Sequence, residues 1–269
     1  MAGPPYTAAG MRLALFADVH GNPIALAAVL ADVRGQGGVD GYLVLGDLAA
    51  GGYDPSGAVE RLRALPNARF VRGNTEASLA EGEPGPSLPA LRRQPEEAAR
   101  LIELAALFAW AHGHLVARGH LDWIAALPLE LRLTLPDGTR VLGNHAAPGS
   151  DGTDGAALRP SQSDDEVRAL LAGCDADVIC AGHTHWPLDR TMDGVRILNV
   201  GSVSNPWAPD LRACWTLLQA DARGYRAEQR RVAYDLEAVL DALRRAGHPT
   251  ADTLAAHFRG ERTPPWRRA

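Results

Sequence analysis

The chain contains 269 residues, of which 46% are hydrophobic and 22% are charged, as is typical of a globular protein and not of a disordered or fibrous one. Its 27 basic and 32 acidic residues give a net charge of −5, which disfavours non-specific nucleic-acid binding because such binding needs clustered cations. Every basic residue is arginine, so chemistry that requires a lysine, such as a Schiff base or a P-loop, is excluded.

Short apolar runs alternate with helical segments in the first part of the chain. The apolar runs are typical of strands buried on both faces, and Asn22 followed by Pro23 marks the start of a helix. The strands are predicted at 12–17, 42–45 and 69–72, and the helices at 23–35 and 56–65. Strands that alternate with helices in this way predict an α/β protein with a parallel sheet.

The remainder of the chain predicts an insert and then further strands and helices. A Gly/Pro-rich loop at 81–95 is followed by predicted helices near 96–111 and 117–127, and we interpret 81–128 as a helical insert. Further strands are predicted at 131–135, 139–142, 177–181, 188–191, 195–200, 212–219 and 225–232, and further helices at 164–172, 236–246 and 251–258. We expect a single domain over 11–260, with tails at 1–10 and 261–269.

Cysteine usage and hydropathy bear on the cellular compartment. Cys174, Cys180 and Cys214 are odd in number and form no CxxC pair, so a disulfide framework is not expected. We expect no signal peptide in the first residues, and no apolar run reaches the roughly 20 residues of a membrane span. We therefore expect a cytoplasmic protein that does not associate with membranes.

Polar residues follow the predicted strands, at the positions where ligands bind in open α/β sheets. Seven of these residues carry side chains that bind metals: Asp18, His20, Asp47, Asn74, His145, His183 and His185. Each could serve an ordinary turn by itself, but their arrival in order after successive strands predicts one site. Mixed nitrogen and oxygen donors suit Mn, Fe, Zn, Co or Ni better than Ca. Seven donors are too many for one catalytic ion and favour two ions that share a bridging carboxylate.

The motifs ADVHGN, LGD, VRGN, NHAAP and GHTH, in this order, resemble those of the calcineurin-like metallophosphoesterases. The similarity is greatest to their small bacterial and archaeal branch of predicted phosphodiesterases, and it extends from about Arg12 to Ala233. It implies a four-layer αββα sandwich with a dinuclear metal site at the strand ends, flanked here by the helical insert. It also implies a metal-dependent phosphoesterase, most simply a phosphodiesterase, that acts on a small phosphate ester.

The resemblance implies a role for each predicted ligand. It would place Asp18, His20 and His185 on the first ion and Asn74, His145 and His183 on the second, with Asp47 bridging both. A hydroxide held between the ions would attack phosphorus in line, and the residual charge of +1 would face the anionic ester. Among the ligands, Asp47, Asn74 and His185 are the expected catalytic residues, and Mn²⁺ is the favoured ion.

One position departs from the family pattern. In familiar members a histidine follows the asparagine of the third motif, whereas here Thr75 follows Asn74. Threonine does not act as a general acid at neutral pH, so we expect weak hydrolysis of esters with poor leaving groups. His112, His114 or His120 would be a substitute if the insert places one of them beside the site; otherwise they are helix-surface residues.

Residues that neighbour the ligand motifs are candidates for lining the substrate pocket. These are Tyr53, Asn144, Trp186 and Asn205, each of which could equally be a packing or capping residue. Trp207 and Trp266 are expected to be structural or incidental.

Two other functions remain open at this stage. One is a phosphomonoesterase, including a protein phosphatase, and the other is a scaffold that has kept the fold without catalysis. The complete ligand set argues against the scaffold, and the net charge argues against a nuclease or a stable nucleic-acid partner. Nothing in the sequence indicates the oligomeric state.

Overall fold

The computed structural model describes residues 10–81 and 97–264, which form two five-stranded sheets with helices on their outer faces. The strands are β1 (Met11–Phe16), β2 (Gly41–Leu45), β3 (Ala68–Val71), β4 (Glu130–Thr134), β5 (Arg140–Asn144), β6 (Val178–Ala181), β7 (Leu188–Met192), β8 (Val195–Asn199), β9 (Ala213–Asp221) and β10 (Gly224–Val232). The helices are α1 (Pro23–Gly35), α2 (Pro55–Arg63), α3 (Asn74–Ala80), α4 (Ala98–Ala117), α5 (Leu121–Ala125), α6 (Asp164–Leu170), α7 (Leu236–Ala246) and α8 (Ala251–Phe258). The predicted α/β sandwich is confirmed.

Each sheet contains three adjacent parallel strands. The first sheet has the order β10-β9-β1-β2-β3, in which β1, β2 and β3 are parallel. The second has the order β4-β5-β6-β8-β7, in which β5, β6 and β8 are parallel and the edge strands are antiparallel. Within each sheet, the carboxyl ends of the parallel strands therefore lie at one edge.

The pattern of burial explains why the strands read as unbroken apolar runs. In β1, Leu13 and Leu15 pack in the layer between the two sheets, whereas Ala14 and Phe16 pack against the outer helices. Because both faces of β1 are buried, the strand has no polar face and shows no alternation. The second sheet follows the same rule, and Leu142 of β5 packs towards α6.

The helical insert differs from its predicted form. The predicted end of its first helix at Ala111 is wrong, because α4 continues through Gly113 to Ala117. Leu115 is completely buried, and its packing outweighs the low helix propensity of glycine. The second helix begins at Leu121 and not at Ala117. Both helices pack beside α3, the helix that follows β3.

Parts of several predictions fall outside the described residues. The Gly/Pro-rich loop lies almost wholly within the undescribed residues 82–96, and the tails lie largely within 1–9 and 265–269. The single domain over 11–260 stays a prediction. None of the helices in the described ranges combines the length and the apolar character needed to cross a bilayer.

Candidate metal centre

All seven predicted ligands meet between the ends of β1, β2 and β3 of one sheet and of β5 and β6 of the other. The backbone joins the loops after β1 and β2, since Asp18 N donates to Gly46 O at 3.0 Å and His20 N donates to Asp47 O at 2.9 Å. It also joins the loops after the neighbouring strands β5 and β6 of the second sheet, since Gly182 N donates to His145 O at 2.8 Å. The donors thus follow the carboxyl ends of strands in both sheets.

Asp18, His20 and His185 form one group of donors. His185 Nε2 lies 3.1 Å from His20 Nε2 and 3.3 Å from Asp18 Oδ1. The donor atoms of all three residues lie within 4.8 Å of one another, a spacing at which a single ion can contact each of them. This group coincides with the ligand set predicted for the first ion.

Asn74, His145 and His183 form a second group. Asn74 Oδ1 lies 3.2 Å from His145 Nε2 and 2.8 Å from His183 Nδ1. One amide oxygen therefore faces two imidazole nitrogens, in the combination predicted for the second ion.

Asp47 lies between the two groups. Its Oδ2 is 3.7 Å from His20 Nε2 of the first group, and its Oδ1 is 3.5 Å from His145 Nε2 of the second. The donor atoms of Asp18, Asp47 and His145 also lie within 4.8 Å of one another. Asp47 thus has the position that a bridging carboxylate requires.

The backbone at the site adopts an uncommon conformation. Five of the seven residues have positive φ angles: 57° at Asp18, 46° at His20, 54° at Asp47, 66° at His183 and 56° at His185. Left-handed conformations at residues other than glycine cost on the order of 1–3 kcal/mol each and concentrate at functional sites. Strain at five positions around one point indicates that the fold is organised to direct these side chains inward.

Three of the four imidazoles are oriented by backbone carbonyls. Their Nδ1 atoms lie 2.6 Å from Ala50 O for His20, 2.6 Å from Leu45 O for His145 and 3.0 Å from Asn205 O for His185. A carbonyl only accepts hydrogen bonds, so Nδ1 must carry the proton. This arrangement leaves the Nε2 lone pair directed at the centre, as it is in metal-binding histidines.

The carboxylates of the site are buried without arginine partners. The side chains of Asp18 and Asp47 are 0% and 4% exposed, and their ion-pair partners in the described chain are imidazoles. Burial lowers the pKa of His145, but the charge and hydrogen bonding of Asp47, the charge of Asp18 and the carbonyl of Leu45 together raise that pKa above its ordinary value. Within the described residues, the buried oxygen Asp18 Oδ1 has no hydrogen-bond partner. Buried negative charge with an orphaned oxygen fits a bound cation.

Thr75 and Glu76 hold the bridging position in place. The hydroxyl and the backbone N–H of Thr75 donate to Asp47 Oδ1 at 2.8 and 3.0 Å. The carboxyl of Glu76 accepts hydrogen bonds from the backbone N–H groups of Asp47, Leu48 and Gly73 at 2.7, 2.8 and 2.9 Å. Burial, followed by the charge of Asp47, raises the pKa of Glu76 to about 7. The sequence interpretation missed Glu76, although its place three residues after Gly73 is that of a capping glutamate.

The residues predicted to line a substrate pocket have different surroundings. The backbone carbonyl of Asn205 orients His185, and Trp186 borders a cavity together with His185. Tyr53 packs instead in the apolar cluster formed by α7 and α8. Asn144 is fully buried, and its side-chain atoms have no hydrogen-bond partner in the described structure.

The three histidines considered as substitutes for the missing family histidine contact other residues. His120 lies 3.2 Å from Arg63 Nη1 and 3.4 Å from Glu60 Oε1, both on α2. The ring of His114 packs against Trp110, and His112 Nδ1 is buried without a partner within the described chain. None of these contacts reaches the seven donor residues.

Comparison with known proteins places the chain near one family. The family model of the calcineurin-like phosphoesterases matches residues 11–187, a segment that contains all seven donor residues. An uncharacterized protein of Methanocaldococcus jannaschii is 25% identical over 246 residues, which cover 86% of this chain and 91% of that protein.

Two solved structures share the fold. A hypothetical protein of Pyrococcus horikoshii has a TM-score of 0.76 at 19% identity, covering 92% of this chain and 98% of its own. A metallophosphoesterase of Sphaerobacter thermophilus has a TM-score of 0.70 at 24% identity, covering 93% of this chain and 98% of its own. At these identities the likeness supports the fold.

Proposed function

The chain belongs to the calcineurin-like phosphoesterase family, and on that basis we propose that it hydrolyses small phosphodiesters with two divalent transition-metal ions. The observation that carries this proposal is the position of Asp47 between two groups of donors. Two bound divalent ions supply Lewis-acid stabilisation of a phosphoryl group and lower the pKa of water. Further support comes from the way in which residues of the chain hold and orient the donor side chains.

The proposed ligand assignment follows the two groups of donors. Asp18, His20 and His185 would hold one ion, Asn74, His145 and His183 would hold the other, and Asp47 would reach both. The orphaned Asp18 Oδ1 and the inward-directed Nε2 lone pairs support this assignment. We favour Mn²⁺ as the activating ion, because carboxylate, amide and imidazole donors together suit it.

The surrounding residues keep the donors in place during turnover. Backbone carbonyls hold the imidazoles, Glu76 ties the loop after β2 to the start of α3, and Thr75 fixes one oxygen of Asp47. Rigid placement of this kind is what electrostatic stabilisation of a developing charge requires.

The preference for aryl diesters over alkyl monoesters rests on Thr75. Its hydroxyl is directed at Asp47, and threonine does not protonate a leaving oxygen at neutral pH. An ester whose leaving group departs without a proton would therefore be the better substrate. Aryl diesters meet this condition, whereas alkyl monoesters do not.

The test is a substrate screen of metal-free protein, verified by elemental analysis and then reconstituted with Mn²⁺. The substrates are bis-p-nitrophenyl phosphate, p-nitrophenyl phosphate, an alkyl monoester, cyclic nucleotides and dinucleoside polyphosphates. We expect no turnover without metal and the highest kcat/KM on a diester with metal. Full activity in metal-free protein would contradict the dinuclear proposal, and faster turnover of monoesters would establish a phosphomonoesterase.

We also propose a cytoplasmic location. Cys174, Cys180 and Cys214 are all unpaired. Burial raises the pKa of Cys180 to about 12 and that of Cys214 to about 11, so these two thiols resist oxidation. Unpaired cysteines suit a reducing compartment. Immunofluorescence of the native protein, or fractionation, tests this location.

A further inference from the structure

A second concave feature adjoins the metal centre. It is a cavity of about 260 Å³ bordered by His185 and by residues of the loops after β6 and β8. Its walls include Trp186, Pro187, Pro206 and Trp207, and Arg212 and Arg231 lie at its rim. A larger cavity, of about 660 Å³, lies at the opposite end of β1 beside Met11, and none of the seven donor residues lines it. Because His185 lines it, the smaller cavity is placed to receive part of a substrate held at the centre.

One wall of this cavity is fixed to the loop that carries the metal-site histidines. Trp207 Nε1 donates to Thr184 O at 2.9 Å, and Thr184 lies between His183 and His185. The ring of Trp207 packs on His257 with 4.6 Å between centroids, and its centroid is 6.4 Å from that of His185. Only the imidazole of His185 would thus separate a group bound against Trp207 from the centre.

The charged residues at the rim largely neutralise one another. Arg212 Nη2 and Arg231 Nη1 lie 2.7 and 3.3 Å from the same oxygen, Asp210 Oδ2. Two guanidinium groups share one carboxylate, so the rim carries a net charge of about +1 on a wall that is otherwise aromatic and apolar. Indole rings bind flat π systems well, and every nucleobase has such a face.

We propose that this cavity is a subsite for a planar aromatic group of the ester, above all a nucleobase, so that the substrate class is a nucleotide-type phosphodiester. The inference rests on the proposed function, because the cavity adjoins the site at which the phosphoryl group would react. Cavities that hold whole drug-sized molecules are roughly 300–1,000 Å³. A volume of about 260 Å³ accommodates one ring system and leaves the phosphoryl group outside, at the centre.

The experiment compares esters that share a leaving group and differ in the group that remains. These are the p-nitrophenyl ester of thymidine 5′-monophosphate, phenyl p-nitrophenyl phosphate and methyl p-nitrophenyl phosphate. In the wild-type protein we expect kcat/KM to be highest for the thymidine ester and lowest for the methyl ester. In Trp186→Leu the thymidine-to-methyl ratio should fall about tenfold, the effect of a typical base–indole stack.

The matched control is Trp123→Leu. Trp123 is a partly buried indole that packs on Phe70 and Arg63 and does not line the cavity. The thymidine-to-methyl ratio should be the same in this variant as in the wild type. Trp186→Phe keeps a smaller ring and should give an intermediate ratio, and it replaces Trp186→Leu if that variant does not fold.

Calorimetric titration separates failure of the subsite from failure of the proposed function. Thymidine 5′-monophosphate should bind about tenfold more weakly to Trp186→Leu than to the wild type, whereas inorganic phosphate should bind equally. If no ester is hydrolysed, the proposed function fails and the titration still decides the subsite. If the esters are hydrolysed with ratios that Trp186→Leu leaves unchanged, the subsite is overturned and the hydrolase stands. A preference for the phenyl ester over the thymidine ester would identify a general aryl subsite and overturn the nucleobase assignment.

Discussion

At the scale of single residues, Asp47 is the side chain that joins the two donor groups. Asp47→Asn keeps the shape but removes half of the carboxylate charge, so we expect a loss of activity of at least about 100-fold and a loss of bound metal. Replacement of a residue that only supports a metal ligand typically lowers metal affinity or activity by roughly 10–100-fold. His20→Ala should cost less, because His20 lies in one group alone. Activity and elemental analysis of both variants test the bridge; two retained ions with near-normal turnover in Asp47→Asn would contradict it.

Thr75 is the residue through which the substrate preference can be altered. Thr75→His introduces a proton donor where the family usually has one, and general acid catalysis typically contributes about 10²–10⁴-fold. We expect the rate on alkyl monoesters to rise more than the rate on aryl diesters. The measurement is the dependence of kcat/KM on the pKa of the leaving group.

Thr75→Ser is the matched control for this change, because it keeps the hydroxyl that donates to Asp47. Its dependence on the leaving group should equal that of the wild type. Equal slopes in Thr75→His and the wild type would show that Thr75 does not determine the substrate class. Efficient hydrolysis of simple alkyl monoesters by the wild type would show the same.

At the scale of elements, close backbone approach brings the loops after β1 and β2 together. A Cβ at Gly52 would lie 2.0 Å from His20 O and 2.6 Å from Gly21 O, so no side chain fits there without moving the loop. We expect Gly52→Ala to lower both the melting temperature and the metal content, because displacement of this loop moves His20.

Gly113→Ala is the matched substitution of the same chemical type. Gly113 lies within α4, and a Cβ there would meet nothing within 4 Å. Alanine in place of glycine within a helix stabilises by roughly 0.5–1 kcal/mol, so the melting temperature should rise while activity stays unchanged. Calorimetry of both variants tests this difference between Gly52 and Gly113. A change of the melting temperature in the same direction in both variants would contradict it.

At the scale of the whole molecule, the proposed metal centre lies where the two sheets meet. Asp18, Asp47 and Asn74 follow strands of the first sheet, whereas His145 and His183 follow strands of the second. Any ion bound there would therefore link both halves of the fold, and its binding energy would stabilise the whole molecule.

Removal of metal should therefore lower the melting temperature. One ion present at 100 times its dissociation constant contributes about 2.7 kcal/mol, which corresponds to roughly 5–10 °C in a protein of this size. We expect chelation to produce a shift of this order and Mn²⁺ to reverse it. The comparison variant is Asp47→Asn, in which chelation should have a smaller effect. An unchanged melting temperature in metal-stripped wild type would show that no ion links the sheets.

The sequence by itself determined most of the strands and helices and pointed to the seven donor side chains that the structure brings together. A strand that is buried on both faces appears in the sequence as an unbroken apolar run. The polar residues of the site directly follow such runs in the chain. These are local properties, so the seven donors from Asp18 to His185 could be predicted without coordinates. Even the unusual Thr75 is visible as a departure from a local motif.

Only the tertiary structure decided which distant segments meet. The carbonyl of Asn205 orients His185 from 20 residues away, and Glu76 holds backbone groups 28 and 29 residues away. Trp207, expected to be structural or incidental, lines a cavity beside the centre. The burial of Leu115 favours the continuation of α4 beyond Gly113. Each of these outcomes depends on packing and hydrogen bonds between segments whose approach is set by the two sheets as a whole, and no local pattern of residues encodes it.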